Sequence, residues 1–228
     1  MIIKKVYEKI LKDPQIVGAY ETIRQNESVN PKAMGTHDMT HITRVTENAV
    51  KVATLIGLAE HEIYEIKIAA LLHDIGCVYG REGHALRGAE WVGEYFEREG
   101  IDKVIGAEAV ERITFAIANH GKGADDLGAL VLTLADKMDV VAERLTPRAH
   151  DVVGTRQYLN IIGHDVRFAS GIESEFILDF KTNGKLDREE MMTWYFTPKI
   201  FSAVRGMAEF IGRTPKILID GVEWVKRR

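Results

Sequence analysis

The sequence predicts a mostly α-helical fold, a helical bundle followed by a small C-terminal mixed α/β appendage. Two observations predict it. Across residues 40–144 apolar positions recur at helical spacing in one segment after another, and from about Asp165 that period gives way to alternation and short β-prone runs. A chain of 228 residues with 46% hydrophobic and 28% charged residues can build one sizeable core plus an appendage, and its composition excludes disorder and low complexity.

Residues 1–26 read as a charged helix with Ile3, Val6, Ile10 and Leu11 on its apolar stripe and Pro14 interrupting it. Residues 27–38, which include Asn30, Pro31 and Gly35, read as a connection. A helix then starts near Thr40, taken as its N-cap, and carries Ile42, Val45, Ala49 and Val52 on one face until Gly57. Residues 60–74 form the next, and its last turn becomes wholly apolar just before His73 and Asp74. Gly76, Gly80 and Gly83 mark a linker, after which His84 opens an amphipathic helix whose Trp91, Tyr95 and Phe96 follow a core stripe. Further helices are expected over about 103–119 and 126–144, and their short connections suit a bundle.

Beyond the bundle, FASGIESEFILDF and ILIDGVEWV are strand candidates, with turns at Gly171, Gly184 and Gly221. MMTWYFTPKIFSAVRGMAEFIG is expected to begin as a strand and continue as a helix after Pro198. The resulting division is an N-terminal helix over 1–32, a helical domain over 33–150 and an appendage over 151–228.

Composition also narrows function. The net charge of −4 and the lone basic ending WVKRR give no general attraction to nucleic acid or to an anionic membrane, so neither is an expected partner. The single cysteine, Cys77, rules out an internal disulfide and reads as a small buried hydrophobe. Neither a long apolar run nor a secretory leader is evident, and the expected location is the cytoplasm.

The polar residues that stand apart are His41, His73, Asp74, His84, His120 and Asp136. The histidines fall at helix starts or ends, and Asp136 falls inside the apolar run LVLTLADKMDVV, where a carboxylate needs a cation or a donor. Imidazole and carboxylate together offer mixed N and O ligation, which suits iron, manganese or zinc. Adjacent His73 and Asp74 cannot share a helical face, but a helix ending there aims both into one cavity. His37, four residues before His41, reads as a rim or capping residue, while His61, His150 and His164 read as solvated or locally hydrogen-bonded.

MTHITRV with His41, ALLHDIG with His73 and Asp74, and LADKMD with Asp136 together resemble the HD-domain metal-dependent phosphohydrolase superfamily over about residues 35–145. The resemblance implies a helical core holding a divalent metal on those four residues. GHALRGAEWV around His84 and AIANHGKG around His120 are similar to the extra histidine-bearing segments of binuclear members, including bacterial diadenosine-tetraphosphate hydrolases. By that resemblance His84 and His120 would bind a second ion, with Asp74 bridging the two.

The implied activity is hydrolysis of a phosphomonoester or phosphoanhydride, a nucleotide in the first instance, by metal-activated water. Fe or Mn is favoured, with Zn, Co, Ni or Mg open. Asp74 would be catalytic as well as ligating, and Arg44 and Lys137 would offset phosphate charge, with a surface ion pair as the alternative for Arg44. Asp139 and Lys122 are outer candidates. A di-iron oxygenase and a noncatalytic ligand-binding module are the alternatives, and the appendage leaves a homodimer open.

Overall fold

The computed structural model describes residues 1–123, 125–169 and 172–224. The expected turn at Gly171 and the basic ending at 225–228 lie outside these residues. Two compact units emerge, Met1–Val29 with His37–Asp136, and Asn30–Thr36 with the chain from Lys137 onward. The fold is a mostly helical bundle with a small C-terminal mixed α/β region. Among the described residues no helix is long and apolar enough to cross a membrane.

The first unit contains α1 (Ile2–Leu11), α2 (Pro14–Val29), α3 (Met39–Leu55), α4 (Glu60–Leu72), a 3-10 turn (Ile75–Tyr79), α5 (His84–Arg98), α6 (Asp102–Ile105) and α7 (Ala107–Asn119). It also holds most of α8 (Leu127–Met138). Pro14 does not kink a single helix. It opens α2, where its missing N–H costs nothing. Gly106, at φ 86°, splits the helix expected over 103–119 into α6 and α7. Helix α8 stops at Met138, short of the expected 144, and the chain resumes only a single 3-10 turn at Ala142–Arg144.

The N-cap of α3 is Asp38 rather than Thr40. Its Oδ1 accepts from the backbone N–H of Thr40 at 3.0 Å and of His41 at 3.1 Å, satisfying donors that the helix start leaves open. Helix α4 is the central rod. Ile66, Ile68, Ala69, Ala70, Leu71 and Leu72 are all buried, more than one face of a helix can supply, because α1, α3 and α7 pack around it. Two buried side-chain hydrogen bonds pin the ends of the rods: Tyr20 Oη donates to the Leu71 carbonyl at 2.6 Å, and Asn48 Nδ2 donates to the Ala135 carbonyl at 3.2 Å. The aromatic stripe of α5 is core as expected, with Tyr95 and Phe96 fully buried and Trp91 stacked on Tyr95.

The second unit is a sheet of β1 (Ile161–Ala169), β2 (Ile172–Thr182), β3 (Thr214–Ile219) and β4 (Val222–Glu223) in that spatial order. Strands β1 and β2 pair antiparallel and β2 and β3 pair parallel, the crossover carrying α9 (Arg188–Thr193) and α10 (Thr197–Phe210). Strands β3 and β4 close a tight hairpin in which Asp220 and Gly221 both take positive φ, as a primed turn requires. Helix α10 packs on β2 and β3 and buries Ile200, Val204 and Met207. The run MMTWYF is not a strand: Asp187 caps α9 by accepting from the N–H groups of Glu189 and Glu190, and this local start overrides the β-prone composition.

Candidate metal centre

Each candidate ligand owes its place to a helix boundary or to an anchored helix interior. His41 sits in the first turn of α3, tied down by the Asp38 cap, and is wholly buried. His73 is the last residue with helical backbone after α4, and Asp74 already departs from it, at φ −101° and ψ 6°, as the chain enters the 3-10 turn. That departure lets adjacent side chains enter one cavity. Gly83, at φ 66°, delivers His84 to the start of α5, and His120 ends α7 in extended backbone. Asp136 is 5% exposed inside α8, one residue after the carbonyl held by Asn48.

These side chains converge on Asp74, whose two carboxylate oxygens face different partners. Oδ2 lies 3.1 Å from His73 Nε2 and 3.4 Å from His41 Nε2, and His41 Nε2 in turn lies 3.5 Å from Asp136 Oδ1. Oδ1 lies 3.3 Å from His84 Nε2 and 3.9 Å from His120 Nε2. The carboxylate therefore joins two clusters, His41, His73 and Asp136 on one side, and His84 and His120 on the other.

The tautomers suit ligation. Nδ1 of His73, His84 and His120 each donates to the backbone carbonyl three residues earlier, Ala70 at 2.8 Å, Arg81 at 2.7 Å and Ile117 at 2.6 Å. With the proton committed to Nδ1, each neutral ring presents Nε2 as a bare lone pair. Nε2 of His84 and His120 then approach to 3.2 Å, an arrangement of two lone pairs that a shared cation relieves. His73 Nε2 is buried and makes no hydrogen bond among the described residues. Ligand atoms of His41, His73 and Asp136, and of His73, Asp74 and His120, form groups within 4.8 Å of one another. The donor set thus fits one or two transition-metal ions.

Electrostatics agree. Burial works to raise the Asp74 carboxyl, but the His73 and His37 imidazoles outweigh it and hold the group well below the usual carboxylate range. Burial works to lower the His73 imidazole, and the Asp74 and Asp136 carboxylates reverse that. A cation entering beside His73 therefore competes with a proton. Burial, helped by His73, pushes His120 down to about 4, so its ring is neutral at pH 7.

The remaining candidates are placed less centrally. Arg44 is half-buried one turn after His41 on α3. Lys137 follows Asp136 on α8 but belongs to the second unit, where its Nζ lies 5.1 Å from the centre of the Phe196 ring. Asp139 is buried, and its carbonyl accepts from Arg144 Nη1. Lys122 is exposed in the turn after His120, as are His61 and His150 on their own segments. His164 is half-buried, its ring 6.4 Å from that of Phe180.

The sequence reading passed over Glu27 and Arg81. Glu27, expected in a connection, lies in the last turn of α2 and is buried, accepting from the His37 backbone N–H at 2.7 Å and from His37 Nδ1 at 2.6 Å. Burial lifts its carboxyl to about 7. The legible signal was its position on the stripe Ile16, Tyr20, Ile23, Glu27, where a charge replaces an expected apolar residue. His37 is buried and stands 5.3 Å, ring to ring, from His41. Cys77 is buried as expected, with Sγ 3.8 Å from Asp74 Oδ1.

Residues 39–141 match the family model described as the HD domain. This stretch has the HD-domain fold. The match takes in His41, His73, Asp74, His84, His120 and Asp136 and spans just under half of the 228-residue chain. Among solved structures the chain is similar to one described as a predicted HD superfamily hydrolase from an uncultured Thermotogales bacterium. The two are 27% identical over 56% of this chain and 67% of that one, with a TM-score of 0.43. No curated protein matches.

Proposed function

We propose that this chain is an HD-type metal-dependent phosphohydrolase acting on a phosphomonoester or phosphoanhydride, with a nucleotide as the substrate class. The observation that carries the reading is the split of Asp74, one oxygen toward His41 and His73 and the other toward His84 and His120. His41, His73, Asp74 and Asp136 would hold one ion, and Asp74, His84 and His120 a second. Iron or manganese suits this mixture of imidazole and carboxylate, with zinc, cobalt, nickel or magnesium as alternatives. When bound, the ions supply activation of water and neutralisation of the phosphoryl oxygens.

The chain's own residues do the rest. Asp74, held ionised by its imidazole neighbours, is suited to gripping cations rather than storing a proton. The backbone carbonyls of Ala70, Arg81 and Ile117 lock the rings of His73, His84 and His120 in the ligating tautomer. Arg44, and Lys137 from the end of α8, would offset phosphate charge. Within the nucleotides, the segments around His84 and His120, with their similarity to those of diadenosine-tetraphosphate hydrolases, favour a dinucleoside polyphosphate.

Phosphate release from a panel of nucleoside mono-, di- and triphosphates and dinucleoside polyphosphates, with the protein reconstituted in manganese or ferrous iron, tests the reading. Turnover of at least one class is expected. Arg44→Ala should lower kcat/KM by about tenfold or more, the scale of one lost charge-assisted hydrogen bond, with metal content unchanged. No phosphate release from any member, or oxygen consumption in its place, would overturn the proposal.

A further inference from the structure

Beside the metal centre, three segments distant in sequence meet at a second cluster. Glu27 at the end of α2, His37 before α3 and Arg81 in the loop before α5 come together, with Glu27 and His37 buried and Arg81 half-exposed at 52% of its side chain. Glu27 fixes the His37 ring by accepting from Nδ1 at 2.6 Å, and Arg81 Nη1 lies against the same ring, 2.5 Å from Nε2 and 2.7 Å from Nδ1. The Arg81 to Glu27 approach is longer, 3.5 Å, and also through Nη1.

The guanidinium is therefore held by one corner. Nη2 and Nε make no hydrogen bond among the described residues, which leaves a fork of planar donors at a half-exposed position. The groups around Arg81 adjoin the candidate metal ligands on both sides. The His37 ring that holds it belongs to a group whose ligand atoms, with those of His41 and Asp74, lie within 4.8 Å of one another. The Arg81 carbonyl is the acceptor that orients His84. A guanidinium whose one acidic contact among the described residues is 3.5 Å away, on a carboxylate already engaged by His37, and which is placed one imidazole away from a cation-binding carboxylate, has the chemistry of an oxyanion receptor. Its donors match the oxygens of a tetrahedral phosphoryl group in pairs.

We propose that Arg81, positioned by Glu27 and His37, is a phosphate-binding residue of this site. The inference rests on the phosphohydrolase reading for its substrate but on the Arg81 geometry for its location. Glu27 and His37 act as positioning residues, since they reach the ligand only through Arg81. The sequence disguised the arrangement because Glu27, His37 and Arg81 share no helix and no period.

The test is the binding of inorganic phosphate to the manganese-reconstituted full chain, followed by titration calorimetry, with bound manganese measured on the same samples. Arg81→Ala is expected to weaken phosphate binding by about tenfold to a hundredfold with manganese content unchanged, and Arg81→Lys to recover part of the loss, since it keeps the charge without the fork. Glu27→Gln should weaken phosphate binding by a smaller factor. Unchanged phosphate affinity in Arg81→Ala, no phosphate binding by the wild type, or loss of manganese in Arg81→Ala would each overturn the proposal, the last by making Arg81 a support of the loop. If phosphate binds through Arg81 while no nucleotide is hydrolysed, the proposal stands and the phosphohydrolase reading fails. If nucleotides are hydrolysed and Arg81→Ala binds phosphate as the wild type does, the reverse holds.

Discussion

Asp74→Ala is expected to strip the chain of both metal ions and to lower phosphate release by roughly three orders of magnitude or more, the scale on which residues acting as a unit fail together. The expectation follows from geometry. The Asp74 carboxylate faces both clusters, 3.1 Å from His73 on one side and 3.3 Å from His84 on the other. Removing it also leaves the His73 imidazole without its nearest carboxylate in a fully buried setting, where an uncompensated charge is costly. His84→Ala touches one cluster only and should release about one ion while the other stays. Metal analysis of the two variants side by side separates these outcomes. An Asp74→Ala protein that keeps its metal would remove the basis for treating the carboxylate as a bridge.

Gly76→Ala is the second large effect, and it acts through backbone. A Cβ at this position would come within 2.2 Å of the His84 carbonyl oxygen and 2.6 Å of the Gly88 nitrogen, both main-chain atoms that cannot rotate away. The 3-10 turn after Asp74 and the first turns of α5 touch here backbone to backbone. The methyl group must push α5 outward and carry His84 with it. A cost at or above the upper end of ordinary overpacking, about 3 kcal/mol, is expected, which for a chain of this length is a fall in melting temperature of roughly 6–12 °C. Weakened binding of the ion on the His84 side should accompany it. A thermal unfolding curve that superimposes on the wild type would show that the turn and α5 do not meet in this way.

How much of this was legible in the sequence depended on whether the signal was local. The bundle was legible because each long helix carries its own apolar stripe, and α4 declared itself by becoming apolar throughout its last turns, Ala69 to Leu72, before His73. The cap of α3 was misplaced by two residues because Thr40 and Asp38 are both good caps, and only the hydrogen bonds of Asp38 choose between them. The split between α6 and α7 turns on the backbone freedom of Gly106 in a segment that otherwise reads as continuous. The strand expected in MMTWYF failed for a similar reason, since the capping Asp187 and the acidic Glu189 and Glu190 that begin α9 outweigh the aromatic residues after it.

Within the site, His41, His73, Asp74, His84, His120 and Asp136 stood out because each is a polar residue where the pattern calls for an apolar one or for a helix end. Glu27, His37 and Arg81 did not form a group in the sequence, because what joins them is the packing of α2 against the turn that follows Asp74. No spacing rule reports a contact of that kind. Glu27 betrayed itself only by occupying a core position of α2.

The most direct measurement is the metal content of the full chain, purified without chelator or metal-affinity tag, by elemental analysis. About two transition-metal ions per chain are predicted, falling to about one in His84→Ala. A folded wild-type protein with no bound metal, or with one ion that His84→Ala leaves in place, would contradict the two-cluster centre built around Asp74.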